Sequence, residues 1–192
     1  CRSGYYGSVL SGAYGGVLAG FEGCWGANVE DGNVYNIWDT MTFPVSYQVR
    51  YVRDFLLSEG SRYQELIPDA DLVTPNKAGE PYGYRGWGFA SATPKRDLIL
   101  GYVEKDCPRT AVRALRPYEK YEFQWFDPCC GKWGEKIEVR VNSVGMIPLP
   151  EYPGDQDWAF KLKVSCKPYS IDTSEHPKTS LEEYRKQKEE KR

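Results

Sequence analysis

The sequence predicts an α+β chain by content: a helix–strand–loop–helix unit of α/β type, then an antiparallel β-sandwich. Three observations predict it. A short apolar run at 16–20, "GVLAG", sits between two helix-like segments. A turn-rich stretch follows, and beyond residue 84 the apolar period changes to two, with short strands at regular spacing. The expected divisions are 1–72 for the helical unit, 73–83 for a linker, 84–167 for the β domain and 168–192 for a charged tail.

The first helix is expected over 4–14, where Val9, Leu10 and Ala13 share a face and Gly and Ser permit close packing. The run at 16–20 has no polar alternation, as in a strand buried on both faces. A long loop, 21–43, leads to a second helix. Pro44 suits its first turn, with Thr42 or Phe43 before it as cap and staple. Val45, Val49, Val52, Phe55 and Leu56 recur at helical spacing, Gln48, Arg50, Arg53 and Asp54 lie on or beside the polar side, and Gly60 is a stop signal. This order is that of an α/β barrel or a doubly wound sheet, neither of which one strand can build. Residues 1–60 therefore read as the end of something larger. An apolar face left open on 45–56 would mark a missing partner.

Pro68-Asp69, Pro75-Asn76, Gly79 and Pro81-Tyr82-Gly83 punctuate the middle. Strands are expected near 86–92, 97–103, 110–115, 120–126, 132–141 and 157–164. "DPCCGKW" reads as a hairpin turn between two of them, opened by Asp127-Pro128 and eased by Gly131. The polar end from Ser180 reads as an exposed helix or as disorder.

Bulk properties narrow the function. With 41% apolar residues the chain is expected to be globular. The many aromatics suit either sugar stacking or simple β packing. A net charge of -2 and no basic stripe argue against nucleic acid. No apolar run approaches the ~20 residues of a membrane span. The cysteines at 1, 24, 107, 129, 130 and 166 form no C-x-x-C pair and there is one histidine, so no metal or other cofactor is expected. Mostly free or buried thiols are the default. The chain begins with Cys1 and shows no signal peptide, and it reads as a fragment.

"YYGSVLSGAYGGVLAGFEGCWG" followed by "WDTMTFPVSYQVRYVRDFLLSEGSRYQELIPDADLV" resembles the end of the apiosidase-like (β/α)8 glycoside hydrolases. There a small-residue helix leads to strand eight, an active-face loop and helix eight. "YQELIPD" then stands where a "W-x-x-L-x-P-D" segment leaves the barrel. "DLILGYV", "FQWFDPCCGKW" and "DWAFKLKV" resemble the β domain that follows, which carries the family label of a collagen-binding domain of a collagenase. That label is only a name, and no residue here shows collagen recognition. The resemblance covers most of 4–164. It implies the terminal βα unit of a TIM barrel and a parent O-glycoside hydrolase acting on complex polysaccharide. It also implies a secreted or periplasmic setting, and a catalytic pair on strands four and seven, upstream of Cys1. The chain alone is then expected to be inactive, with carbohydrate and the missing N-terminal barrel segment as its partners. The alternative is a non-catalytic module binding glycan or matrix protein through its sandwich.

Glycoside hydrolysis needs two carboxyl groups. Glu22, two residues past the apolar run, falls where barrel enzymes keep functional groups. It has three readings: a binder of sugar hydroxyls, a turn or solvent carboxylate, or, least favoured, a catalytic group. Trp25 and Trp38 are stronger substrate-binding candidates, because an indole face stacks on a sugar's C–H face. The other reading is that they plug the barrel end. Asp39 joins them as a hydroxyl binder, with Asn28 and Asn36 behind it. Trp87, Trp125, Trp133 and Trp158 are expected mainly in packing, and Arg2 in a structural ion pair.

Overall fold

The computed structural model describes residues 2–16, 37–78 and 85–165. The expected strand at 16–20 falls almost entirely outside these residues, as do Glu22, Trp25, Asn28, Asn36 and the charged tail. The first helix, α1, is Arg2–Leu10. Then come α2 (Ile37–Met41), α3 (Pro44–Gln48) and α4 (Arg50–Leu56), followed by a 3-10 segment, Leu57–Glu65. The single helix expected over 44–60 is thus divided at Val49, whose own torsions remain helical. Pro44 does occupy the first turn of α3. Gly60 takes φ 64, a value that favours glycine, and breaks the 3-10 segment.

Ten strands follow: β1 (Ile67–Pro68), β2 (Val73–Thr74), β3 (Gly88–Ala92), β4 (Leu98–Val103), β5 (Ala111–Val112), β6 (Lys120–Asp127), β7 (Lys132–Trp133), β8 (Ile137–Arg140), β9 (Ile147–Pro148) and β10 (Trp158–Val164). They form two antiparallel sheets. The larger runs β1-β3-β4-β10-β6-β7, with β8 also on β6; the smaller runs β2-β5-β9. Val73 and Thr74, placed in the expected linker, instead pair with β5, because Leu72 and Val73 are apolar and buried. The strand expected over 132–141 is interrupted at 134–136. Trp133 pairs with Phe126 and Ile137 with Phe123, so the register slips by one residue across Gly134, as in a β-bulge.

The larger sheet is buried on both faces. Every residue of β4 is buried, and its side chains alternate between two cores. Ile99 and Val103 join Phe123, Trp125, Phe160 and Leu162 in the core shared with the small sheet. Leu98, Leu100 and Tyr102 point the other way, to Tyr6, Leu10, Val52 and Phe55 of the helices. The apolar face of 45–56 is therefore covered: Val52 and Phe55 are buried against this sheet. Burial of a side chain the size of Phe55 contributes roughly 1.5–3 kcal/mol. Gly101 has a specific cause. It faces Phe160 across the β4–β10 ladder, and a Cβ there would overlap the Phe160 ring.

Candidate functional site

The described part of the expected site is α2. Trp38 is 75% exposed, Met41 is 60% exposed, and Asp39 in the first turn of the helix is also exposed. Thr42 closes this short helix by donating to the Asp39 carbonyl at 2.6 Å. Pro44 then starts α3, which turns the chain back onto the sheet. Trp38 is thus presented at the surface of the described residues. Where it stands relative to Glu22 and Trp25 lies outside the described residues.

Beside this surface is a cleft of about 520 Å³, walled by Arg2 and Ser3 of α1, by Phe43, Pro44 and Gln48, and by Tyr102, Glu104 and Asp157 at one end of the large sheet. Two carboxylates face it, and both are already engaged. Arg2 donates from Nε to Asp157 Oδ2 at 2.9 Å and from Nη2 to Oδ1 at 2.5 Å. The Tyr102 hydroxyl donates to Oδ2 at 2.7 Å. Burial pushes the Asp157 carboxyl up, but the Arg2 fork and the Tyr102 hydroxyl more than offset it and hold it below its ordinary value. Glu104 accepts the Ser3 hydroxyl on Oε1 and the Trp87 N–H on Oε2, the latter at 2.9 Å. Arg2 also donates from Nη1 to Gln48 Oε1 at 2.9 Å, and Gln48 Nε2 donates to the Cys129 carbonyl at 3.2 Å.

The arrangement ties elements together. The start of α1, the end of α3, the β6–β7 turn and the start of β10 all meet through Arg2 and Gln48. A general acid needs a raised pKa and a nucleophile an open face, and Asp157 has neither. The ion pair expected for Arg2 is present, and its partner was not foreseen. Asp157 stands in "DWAFKLKV", where an acidic residue directly before an apolar strand was the only available signal.

The tryptophans of the β domain serve packing. Trp125 and Trp158 are buried in the inter-sheet core. Half-buried Trp133 stacks on Phe55 with ring centroids 5.9 Å apart, and Trp87 stacks on Phe89 at 6.3 Å. Cys107, Cys129 and Cys130 are free thiols. Burial pushes Cys107 up to about 12. Among the described residues, no acidic, Cys or His cluster is arranged to hold a metal ion, and no helix is long and apolar enough to cross a membrane.

No family model matches the chain, and no curated protein matches it. Solved structures do. One described as a glycoside hydrolase aligns over 74% of this chain and 31% of its own length, at 20% identity and a TM-score of 0.53. A family 5 glycoside hydrolase from Bacteroides vulgatus ATCC 8482 aligns over 70% of this chain and 27% of its own, at 21% identity and a TM-score of 0.48. The chain therefore spans under a third of the length of either neighbour. Its mixed helical and antiparallel-sheet fold is one shared with part of a glycoside hydrolase.

Proposed function

We propose that this chain is the C-terminal portion of a glycoside hydrolase acting on complex polysaccharide, of the apiosidase-like kind. Residues 1–72 form the last βα unit of its barrel, and 84–167 form the accessory β domain that follows. The single observation that carries the proposal is the fold likeness over 74% of the chain to part of a glycoside hydrolase. The distribution of apolar surface supports it. The inner face of 45–56 is covered by the sheet and so does not itself mark a missing partner, but apolar side chains are exposed elsewhere: Trp38 and Met41 on α2, Tyr47 on α3, Leu57 just past α4 and Ile67 in β1. Exposed apolar side chains of this number around the helices fit a further partner, here the rest of the barrel.

In this reading the chain is non-catalytic by itself. The carboxylates of the cleft are engaged in structural bonds, and the reacting pair belongs to another segment of the parent protein. Glu22, Trp25, Trp38 and Asp39 line the barrel mouth and bind sugar. The β domain holds the last helix in place through Phe55 and Trp133. Assay of the chain against aryl glycosides and oligosaccharides tests this. No turnover is expected; turnover abolished by Glu22→Gln would overturn the reading. The runner-up, a separate module binding glycan or matrix protein through the sheets, calls for a coplanar aromatic row. A polysaccharide pull-down that survives Trp38→Ala would favour it.

A further inference from the structure

We propose that the cleft between the β3–β4 turn and the strap at 114–121 binds an oxyanion, a carboxylate or sulfate carried by a small polar molecule. This cleft of about 450 Å³ is separate from the one beside Trp38, and Lys95, Arg96, Arg116, Glu119 and Tyr121 line it. Three cations thus face one carboxylate on a chain whose net charge is -2. The pairing pattern singles out two of them. Four nearby cations are matched, Arg96 with Asp69, Arg62 with Asp97, Arg113 with Asp71, and Lys120 with Glu138, and Arg140 lies over the Tyr118 ring. Lys95 and Arg116 are exposed and carry no ion pair among the described residues. Lys95 belongs to the β3–β4 turn and Arg116 to the strap, so each of the two lining segments brings one unpaired cation to the cleft, and an anion there would be drawn to both.

A second observation concerns the backbone. Among the described residues the non-glycine positions with left-handed torsions are Arg96 (φ 57), Ala114 (φ 59) and Tyr118 (φ 67), and all three lie in the two segments that build this cleft. Such torsions are unfavourable for residues with a Cβ and collect at ligand clamps. Here they are held in place by bonds between the walls. Arg96 donates from Nη1 to the Arg113 carbonyl at 3.2 Å and from Nη2 to Asp69 at 3.1 Å. The Tyr121 hydroxyl lies 2.7 Å from the Arg96 carbonyl and 3.2 Å from Glu119 Oε2, which keeps Glu119 at the tyrosine side. Arg96 therefore positions the walls, and Lys95 and Arg116 are left to meet the ligand. A guanidinium and an ammonium lining one cleft suit a carboxylate or a sulfate.

Calorimetric titration of the full chain with trigalacturonate, sodium sulfate and neutral maltotriose tests this. At least one of the two anions should bind, with affinity falling as NaCl rises, and maltotriose should not. The double variant Lys95→Ala/Arg116→Ala should lose about tenfold or more in affinity. Its melting temperature should be unchanged, because both side chains are exposed. Binding of trigalacturonate but not sulfate would identify an acidic sugar as the source; the reverse would identify a free oxyanion. The proposal is overturned if neither anion binds, if maltotriose binds equally well, or if the double variant binds as the wild type does. It does not rest on the glycoside hydrolase reading: Trp38→Ala should leave this binding unchanged.

Discussion

Arg2 and Asp157 lie 155 residues apart in sequence and face each other through two hydrogen bonds, at 2.9 and 2.5 Å, joining the first turn of the chain to the start of its last described strand. Asp157 is 8% exposed, so it relies on this partner to keep its charge. Arg2→Ala should destabilise the protein by about 2–3 kcal/mol, because it leaves a buried carboxylate with the Tyr102 hydroxyl as its main donor. Arg2→Lys keeps the charge but loses the fork and should cost roughly half as much. Urea unfolding of the two variants checks this. A loss below about 0.5 kcal/mol for Arg2→Ala would show that the pair is not a structural tie.

A pH dependence follows from the same chemistry. Glu59 resembles Asp157: burial raises its carboxyl, but Lys161 at 2.8 Å and Lys163 at 2.6 Å outweigh burial and hold it below its ordinary value. A carboxyl with a lower pKa in the folded state than the unfolded one stabilises the fold above the unfolded value, about 4. That contribution is lost as pH falls through the folded value. The urea midpoint should therefore be flat from about pH 8 to 5 and fall below about pH 4. The double variant Glu59→Gln/Asp157→Asn should be less stable at neutral pH and show a shallower acid limb. An acid limb as steep as the wild type's would assign the loss to other groups.

Gly101 gives the sharpest packing prediction. It is buried in β4, and a Cβ would enter the space of the Phe160 ring. Gly101→Ala should cost about 1–3 kcal/mol as an overpacking change, although alanine suits a strand better than glycine. Gly101→Ala/Phe160→Leu should recover part of the loss relative to the sum of the single changes. Additive losses in thermal unfolding would mean that the ring is not what excludes the Cβ.

The β domain was legible where period-two patterning coincided with burial. β3, β4, β6 and β10 fall where alternation and apolar runs place strands. What the pattern did not convey was long-range pairing. β5 falls within the strand expected at 110–115, but β2 and β9 have two residues each, too few for any period to register, and they are strands only through their pairing with β5. The apolar spacing of Val52 and Phe55 identified the buried face of the second helix but not the surface that covers it. The Arg2–Asp157 tie was half visible. An arginine at the start of an apolar helix calls for an anion, but local sequence does not choose among 27 acidic residues.

Trp38 separates the functional reading from a structural one. At 75% exposure its ring adds little to the stability of the described fold. Trp38→Ala should leave the melting temperature within about 2 °C of wild type, as expected for an exposed position. If Trp38 stacks on sugar, the same change should weaken oligosaccharide binding by about tenfold, the scale of one lost aromatic contact. Trp38→Phe, which keeps a stacking face but loses the indole N–H, should fall between the two. Titration of saccharide into the three proteins, followed by intrinsic fluorescence of the remaining tryptophans or by calorimetry, reads this directly. Equal binding by all three would remove Trp38 from the site. A melting temperature that collapses in Trp38→Ala would instead make it a packing residue.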